Sequence, residues 1–299
     1  MKKVKKFFQY DNIGLLFAFP AFLYMLVFVG YPIISNIILS FQDVTMKNLV
    51  RGEKHFIWLQ NYAELVRDSV FKKAFFNTLL FTVCCLAIQF VIGFALAVFF
   101  NKDFKVAKPV RGLLMMPWMI PITITALIFK FIFATDVGIL NYILKSIGII
   151  SKNVEWLTQP DTAMAALICA NVWIGIPFNM ILISTGLTTI PKELYESASI
   201  DGANKLQTFI KITLPMLRST IESVLILGFI YTFKVYDLVY VMTSGGPVNS
   251  THMLSTYSYK LSFEMFQYSK GSAVANALLV VLLIVGSFYI RTTTKGEET

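Results

Sequence analysis
Residues 188–217 read TTIPKELYESASIDGANKLQTFIKITLPML. The stretch joins two long apolar blocks, where a short, polar, irregular connection would be ordinary. It carries helix punctuation instead. Pro191 suits the first turn of a helix, where its missing N–H costs nothing. Lys192 to Ile200 are mostly acceptable helix formers. Asp201-Gly202 then interrupts: glycine can adopt positive φ, and aspartate can cap the next helix. A second helix is expected from about Ala203 to Ile212, and Pro215 marks the approach to the next apolar block. The small residues Ser197, Ala198 and Ser199 beside Glu196 allow another protein surface to come close. The same residues also permit an ordinary loop lying on a membrane interface through Leu194, Ile200, Phe209 and Ile212. Spacing alone leaves both readings open.

The blocks on either side set the class. The 299-residue chain is 56% hydrophobic and only 14% charged, where a soluble domain carries about a quarter charged residues. Mean hydropathy is +0.67. Six apolar blocks are long enough to cross a bilayer, at 13–38, 75–100, 111–133, 162–187, 217–241 and 271–290. Within lipid every backbone amide must be bonded internally, so crossings of this length must be helices. The expectation is an all-α membrane protein forming one membrane domain. The N-terminal MKKVKK resembles the start of a signal peptide, but the apolar run from Ile13 continues past Tyr31. That is longer than a signal core, and no small-x-small site ends it, so it reads as a retained first helix.

Lys and Arg in the flanks give the orientation. With the N-terminus cytoplasmic, the inside segments 1–12, 101–111, 191–218 and 291–299 hold 14 basic residues in 60 positions. The outside segments 40–74, 134–161 and 242–270 hold 10 in 92 positions. This places both termini and the 190–212 loop in the cytoplasm. The first outer segment mixes both charges and reads as a folded cap with a short amphipathic helix near 60–70. The net charge of +9 lies between apolar blocks, which speaks for a membrane and against nucleic acid. Cys84, Cys85 and Cys169 all sit in apolar blocks and read as packing. His55 and His252 lack metal-ligand spacing, so no metal is expected.

The segment ELYESASIDGANKLQTFIKITLP resembles the signature loop of bacterial ABC import permeases. The family pattern is Glu-Ala-Ala, three residues, Gly, then a hydrophobic stretch ending in Leu-Pro. Here it reads Glu196-Ser197-Ala198, Ser199-Ile200-Asp201, Gly202, and it ends at Leu214-Pro215. The departure is Ser197, where alanine is usual. Further segments are similar to the maltose-type, oligosaccharide-class permeases, in particular to the larger membrane subunit of that system. They are Trp58-Leu59-Gln60-Asn61-Tyr62, Asn77-Thr78, Trp173 to Pro177, Phe233 to Leu238 and Thr243 to Pro247. The resemblance runs from about Trp58 to Ile290.

The resemblance implies a type I ABC importer fold with six transmembrane helices. It makes the 190–212 loop a coupling helix docked on an ATPase, with Glu196, Ser197, Ala198, Asp201 and Ala203 at the contact and Gly202 making the turn. It implies a second, homologous permease subunit, two ATPase subunits and an extracytoplasmic solute-binding protein. The setting is a bacterial cytoplasmic membrane. The chain contains no GxxxxGK[ST] loop, so ATP and Mg are expected on the partner ATPases and no cofactor on this chain. It is therefore expected to be a transport subunit and not itself an enzyme.

For the solute path, Asn171, Gly175 and Phe178 fall at i, i+4 and i+7 and share one helix face. Trp173 belongs to the same motif. Tyr231, Thr232 and Val235 match positions that line the sugar pathway of the family. Amides, hydroxyls and aromatic rings suit a sugar, although Gly and Asn also serve plain helix packing. Lys130, Glu222, Lys234 and Asp237 are left outside the ligand set. An oligosaccharide is expected. The alternatives are the same machine for glycerol phosphate or another polyol, or a secondary transporter using Asp237 or Glu222.

Overall fold
The computed structural model describes residues 10–101 and 105–297. The basic run MKKVKK lies outside the described residues, as does Lys102. The chain divides into two compact units: Met1–Val66 with Ser258–Asn276, and Arg67–Tyr257 with Ala277–Thr299.

In the first unit, α1 (Tyr10–Met25) passes through a π-helical turn, Leu26–Gly30, into α2 (Tyr31–Ser40). Pro32 explains the turn. It supplies no N–H at the second residue of α2, and the preceding ladder widens. None of the apolar window in Phe17–Ser40 is buried within the chain. A two-stranded ribbon comes next, with β1 (Gln42–Asp43) antiparallel to β2 (His55–Phe56) around the short α3 (Met46–Val50). Then comes α4 (Gln60–Arg67), the amphipathic helix expected near 60–70. Buried amides pin these pieces. Asn61 donates to the carbonyls of Ser40 at 2.8 Å and Gln42 at 2.9 Å, and Asn36 donates to Asn276 at 2.7 Å.

In the second unit, α5 (Ser69–Phe100) starts where Asp68 accepts from the Val70 amide at 2.8 Å. Next come α6 (Ala107–Leu114), α7 (Met116–Met119), α8 (Ile122–Ile132), α9 (Ile139–Ser146) and α10 (Pro160–Thr188). The 188–217 loop holds α11 (Lys192–Ile200), α12 (Lys205–Thr208), a π turn and α13 (Leu214–Met216). Beyond it lie α14 (Arg218–Phe233), α15 (Asp237–Thr243) and α16 (Leu254–Tyr259). A further π turn, Lys260–Glu264, and the start of α17 (Tyr268–Glu297) belong to the first unit, and α17 from Ala277 onward to the second. Helices α5 and α10 form the most extensive pair. Around them lie two apolar clusters, one centred on Phe81, Phe129, Leu167 and Leu238, the other on Met180, Ile183, Leu217 and Val224.

Among the described residues, four helices are long and apolar enough to cross a membrane: Phe17–Ser40, Ser69–Phe100, Pro160–Thr188 and Tyr268–Arg291. Two bent pairs would raise this to six: Pro109–Met119 with Ile122–Ile132, bent by 95°, and Lys205–Met216 with Arg218–Phe233, bent by 64°. Two expected blocks therefore need correction. The block at 111–133 is not one straight helix, because Pro121 has no N–H and holds the extended Ile120 before it. The block at 217–241 stops at Phe233 and resumes as α15.

Candidate functional site
Helix α14 ends without proline or glycine. Lys234 leaves the helical ladder at φ −94°, ψ 13°, and Tyr236 turns to φ −129°, ψ −61° before α15 begins. In lipid the freed peptide groups need partners. The Val235 amide donates to Thr232 O at 3.1 Å, and the Val235 carbonyl accepts from the Ser255 hydroxyl. The chain thus stabilises a broken helix with its own groups.

A cavity of about 380 Å³ opens at this break. Asn171, Gly175 and Phe178 line it from α10, Tyr231 and Thr232 from α14, and Val235 from the break itself. Trp118, Ile120 and Ile122 reach it because the bend at Ile120-Pro121 turns α7 and α8 apart. The rings form a ladder. Trp118 stacks on Phe178 at 6.3 Å, Phe178 meets Tyr231 edge-on at 5.9 Å, and Lys234 Nζ lies 5.3 Å from the Tyr231 ring centre. Gln89, from α5, closes one side. Its Nε2 donates to Asn171 O at 2.9 Å, and its amide fills the space where a Gly175 side chain would be.

Six of the seven expected path residues therefore share one cavity. Trp173 does not line it and packs edge-on against Phe129 at 5.6 Å. On a helix, residue 173 points about 200° round from residue 175. Lys234 and Asp237, left outside the ligand set, both line the cavity and form no ion pair with each other. Lys130 donates to Val241 O at 3.1 Å, and Glu222 pairs with Arg218 at 2.9 Å. Sequence reasoning misses Gln89 and Trp118. The signal for Gln89 is a lone amide in a long apolar block, and for Trp118 it is the nearby Pro121.

The loop after α10 is a built turn. Gly202 sits at φ +75°. Its amide donates to Ser199 O at 3.2 Å, and the Ala203 amide donates to Ala198 O at 2.9 Å. This pair of bonds closes a helix C-terminus and requires a left-handed residue at the glycine position. The expected capping role of Asp201 is corrected. Asn204 caps α12, exchanging bonds of 2.9 Å with Gln207 in both directions, and α12 starts at Lys205 rather than at Ala203. Asp201 is one residue past the end of α11, too early to reach the next helix. Glu196, Ser197, Asp201 and Gly202 are exposed, Ala203 is half-buried, and Ala198 is buried. Tyr195 Oη lies 3.2 Å from Thr213 Oγ1, so α11 is tied to the π turn Phe209–Thr213 that follows α12. Ile200 and Leu206 project outward at 86% and 66% exposure. Phe209, expected at a membrane interface in the ordinary-loop reading, instead packs edge-on against Phe94 at 5.8 Å.

Residues 89–292 match the family described as binding-protein-dependent transport system inner membrane component. The chain belongs to this family. Among curated relatives, it is 31% identical over 281 residues to the trehalose/maltose transport system permease protein MalF of Thermococcus litoralis, covering 94% of this chain and 93% of that one. It is 31% identical over 279 residues to the sulfoquinovosyl glycerol transport system permease protein SmoG of Agrobacterium fabrum, covering 93% and 89%. Among solved structures, a chain of a bacterial ABC transporter involved in import of the acidic polysaccharide alginate superposes with a TM-score of 0.80 at 25% identity, covering 97% of this chain and 99% of that one. This inner membrane component thus has the helical fold of an ABC importer permease.

Proposed function
We propose that this chain is one of two homologous permease subunits that together enclose the solute path of an ABC importer, and that the cavity at the α14–α15 break is its share of that path. The chain is a permease of the carbohydrate-importing kind. The observation that carries the finer reading is the convergence of Asn171, Gly175, Phe178, Tyr231, Thr232 and Val235 on one cavity. Aromatic faces meet sugar C–H groups there, and amides and hydroxyls meet sugar hydroxyls. The glycosides named for the relatives are of this chemistry, so an oligosaccharide is the solute we favour. A polyol phosphate is the second reading, because Lys234 lines the cavity. Asp237 offsets that charge, and phosphate recognition favours a cationic site. Membership of a binding-protein-dependent family leaves the secondary-transporter alternative without support.

In this reading each bent pair counts as one crossing, which gives six, and both termini are cytoplasmic. The α11–α12 turn then faces two separate ATPase subunits that hold ATP and Mg. Glu196, Ser197, Asp201 and Gly202 present themselves to the ATPase, Ala203 lines the turn, and buried Ala198 lets α11 lie close to its own chain. An extracytoplasmic binding protein delivers the solute on the opposite side, where the turn after α15 exposes Val248. A Gly202→Pro chain should insert and assemble but lose both uptake and solute-stimulated ATP hydrolysis in the reconstituted complex. Undiminished stimulated hydrolysis in that variant would refute the coupling assignment.

A further inference from the structure
The ribbon between α2 and α4 exposes side chains that a water-facing cap would keep inside. Val50 is 78% exposed and Trp58 74%, with Phe56 and Leu59 beside them. Phe56 and Trp58 lie ring to ring at 6.4 Å. Trp58 holds φ 52°, a left-handed conformation that is strained for a bulky residue. Nothing within the fold rewards that strain, because the indole ends in the open. The same segment carries Lys47, Arg51 and Lys54, all exposed, against one exposed carboxylate, Glu53.

The height of this surface along the membrane helices is fixed by hydrogen bonds. The Val44 amide donates to Ser269 Oγ at 2.9 Å, and the Ser269 amide donates to Val44 O at 3.3 Å. Val44 lies just after the end of one lipid-length helix, Phe17–Ser40, and Ser269 at the start of another, Tyr268–Arg291. Two apolar helices therefore end at one level, and the ribbon begins there. Met46 continues the surface at that level: its amide donates to Phe266 O at 3.2 Å, and Phe266 is itself exposed. Aromatic side chains at such a level occupy the headgroup region of a bilayer, and neighbouring cations attract anionic lipid.

We propose that the 46–59 ribbon is an interfacial anchor that binds anionic phospholipid headgroups, with Trp58 and Phe56 inserted at the headgroup–acyl boundary and Lys47, Arg51 and Lys54 holding the phosphates. The anchor does not depend on which solute the cavity carries. It ties the end of α2 to the lipid surface.

The test uses the full chain in nanodiscs containing phosphatidylcholine or phosphatidylglycerol brominated high on the acyl chain. The difference between wild-type fluorescence and that of Trp58→Phe isolates the Trp58 contribution. Expected is strong quenching of that contribution by the brominated lipid, with little quenching by aqueous iodide. Brominated phosphatidylglycerol at equal mole fraction should be preferred by at least about fivefold. The Lys47→Gln, Arg51→Gln, Lys54→Gln chain should lose the preference while keeping its fold by circular dichroism. Equal quenching by both lipids would overturn the proposal. So would iodide-accessible Trp58 that becomes shielded only when a binding protein or second permease is added, because the surface would then be a protein interface.

Discussion

The side-chain amide of Gln89 lies against Gly175 and donates to the carbonyl of Asn171 at 2.9 Å. A Cβ at Gly175 would fall 2.3 Å from the Gln89 side chain. The contact joins α5 to α10 and also shapes one side of the cavity. Gly175→Ala should therefore overpack this seam at a cost of about 1–3 kcal/mol, read as a lower unfolding temperature in detergent. The Gly175→Ala, Gln89→Ala double variant should recover much of that loss, because the clash is with the Gln89 side chain. If the two substitutions instead lower stability additively, the seam is not set by this pair.

Asn204 and Gln207 close α12 with reciprocal bonds in an exposed turn. Asn204→Ala should cost about 1 kcal/mol of local helix stability. The loss is confined to the turn, so global unfolding should barely shift. Limited trypsin digestion should show faster cleavage at Lys205 in the variant than in wild type. Unchanged cleavage would mean that Tyr195 and Thr213 alone hold the turn.

Much of this arrangement is legible in the sequence, and the gaps have physical causes. Long apolar runs announce membrane helices because lipid leaves the backbone no other choice. The glycine of the α11–α12 turn is readable because position 202 needs a positive φ. The break after Phe233 is not, since Lys234, Val235 and Tyr236 include no helix breaker. It is held by a distant hydroxyl, Ser255, bonded to the Val235 carbonyl. Asp201 reads falsely as a cap because Asp and Asn both cap helices, and the offset of the two residues from Gly202 decides between them. Trp173 shares a motif with Gly175, although helix geometry alone sets it on another face. For the cavity, sequence spacing finds the α10 face but not its facing partners Gln89 and Trp118. Which helices face each other is a tertiary fact.

Phe178 is the middle rung between Trp118 and Tyr231. Replacing it with leucine keeps apolar bulk and removes both ring contacts, each worth about 0.5–1.5 kcal/mol. Uptake by the assembled complex should fall by about tenfold at equal membrane abundance if a sugar stacks here. Basal ATP hydrolysis should persist, since Phe178 lines the cavity and not the α11–α12 turn. Full uptake in Phe178→Leu would move the solute path away from this ladder.

Glu64 and Lys270 form an ion pair at 2.8 Å between α4 and the start of α17. Hydrogen bonds from Lys270 and Gln60 hold the Glu64 carboxyl below its ordinary value of 4.5. A carboxyl with a depressed folded pKa stabilises the fold fully above its unfolded pKa. That contribution is lost as pH falls through the lower, folded value. Both side chains are about two-fifths exposed, at 43% and 38%, so solvent and salt screen the pair and the effect is small. The unfolding temperature of wild type should exceed that of Glu64→Gln by a constant small margin at neutral pH. The margin should shrink only below the unfolded carboxylate range, and added salt should narrow it at every pH. A margin that instead grew on acidification would reverse the sign and remove Lys270 as the partner that matters.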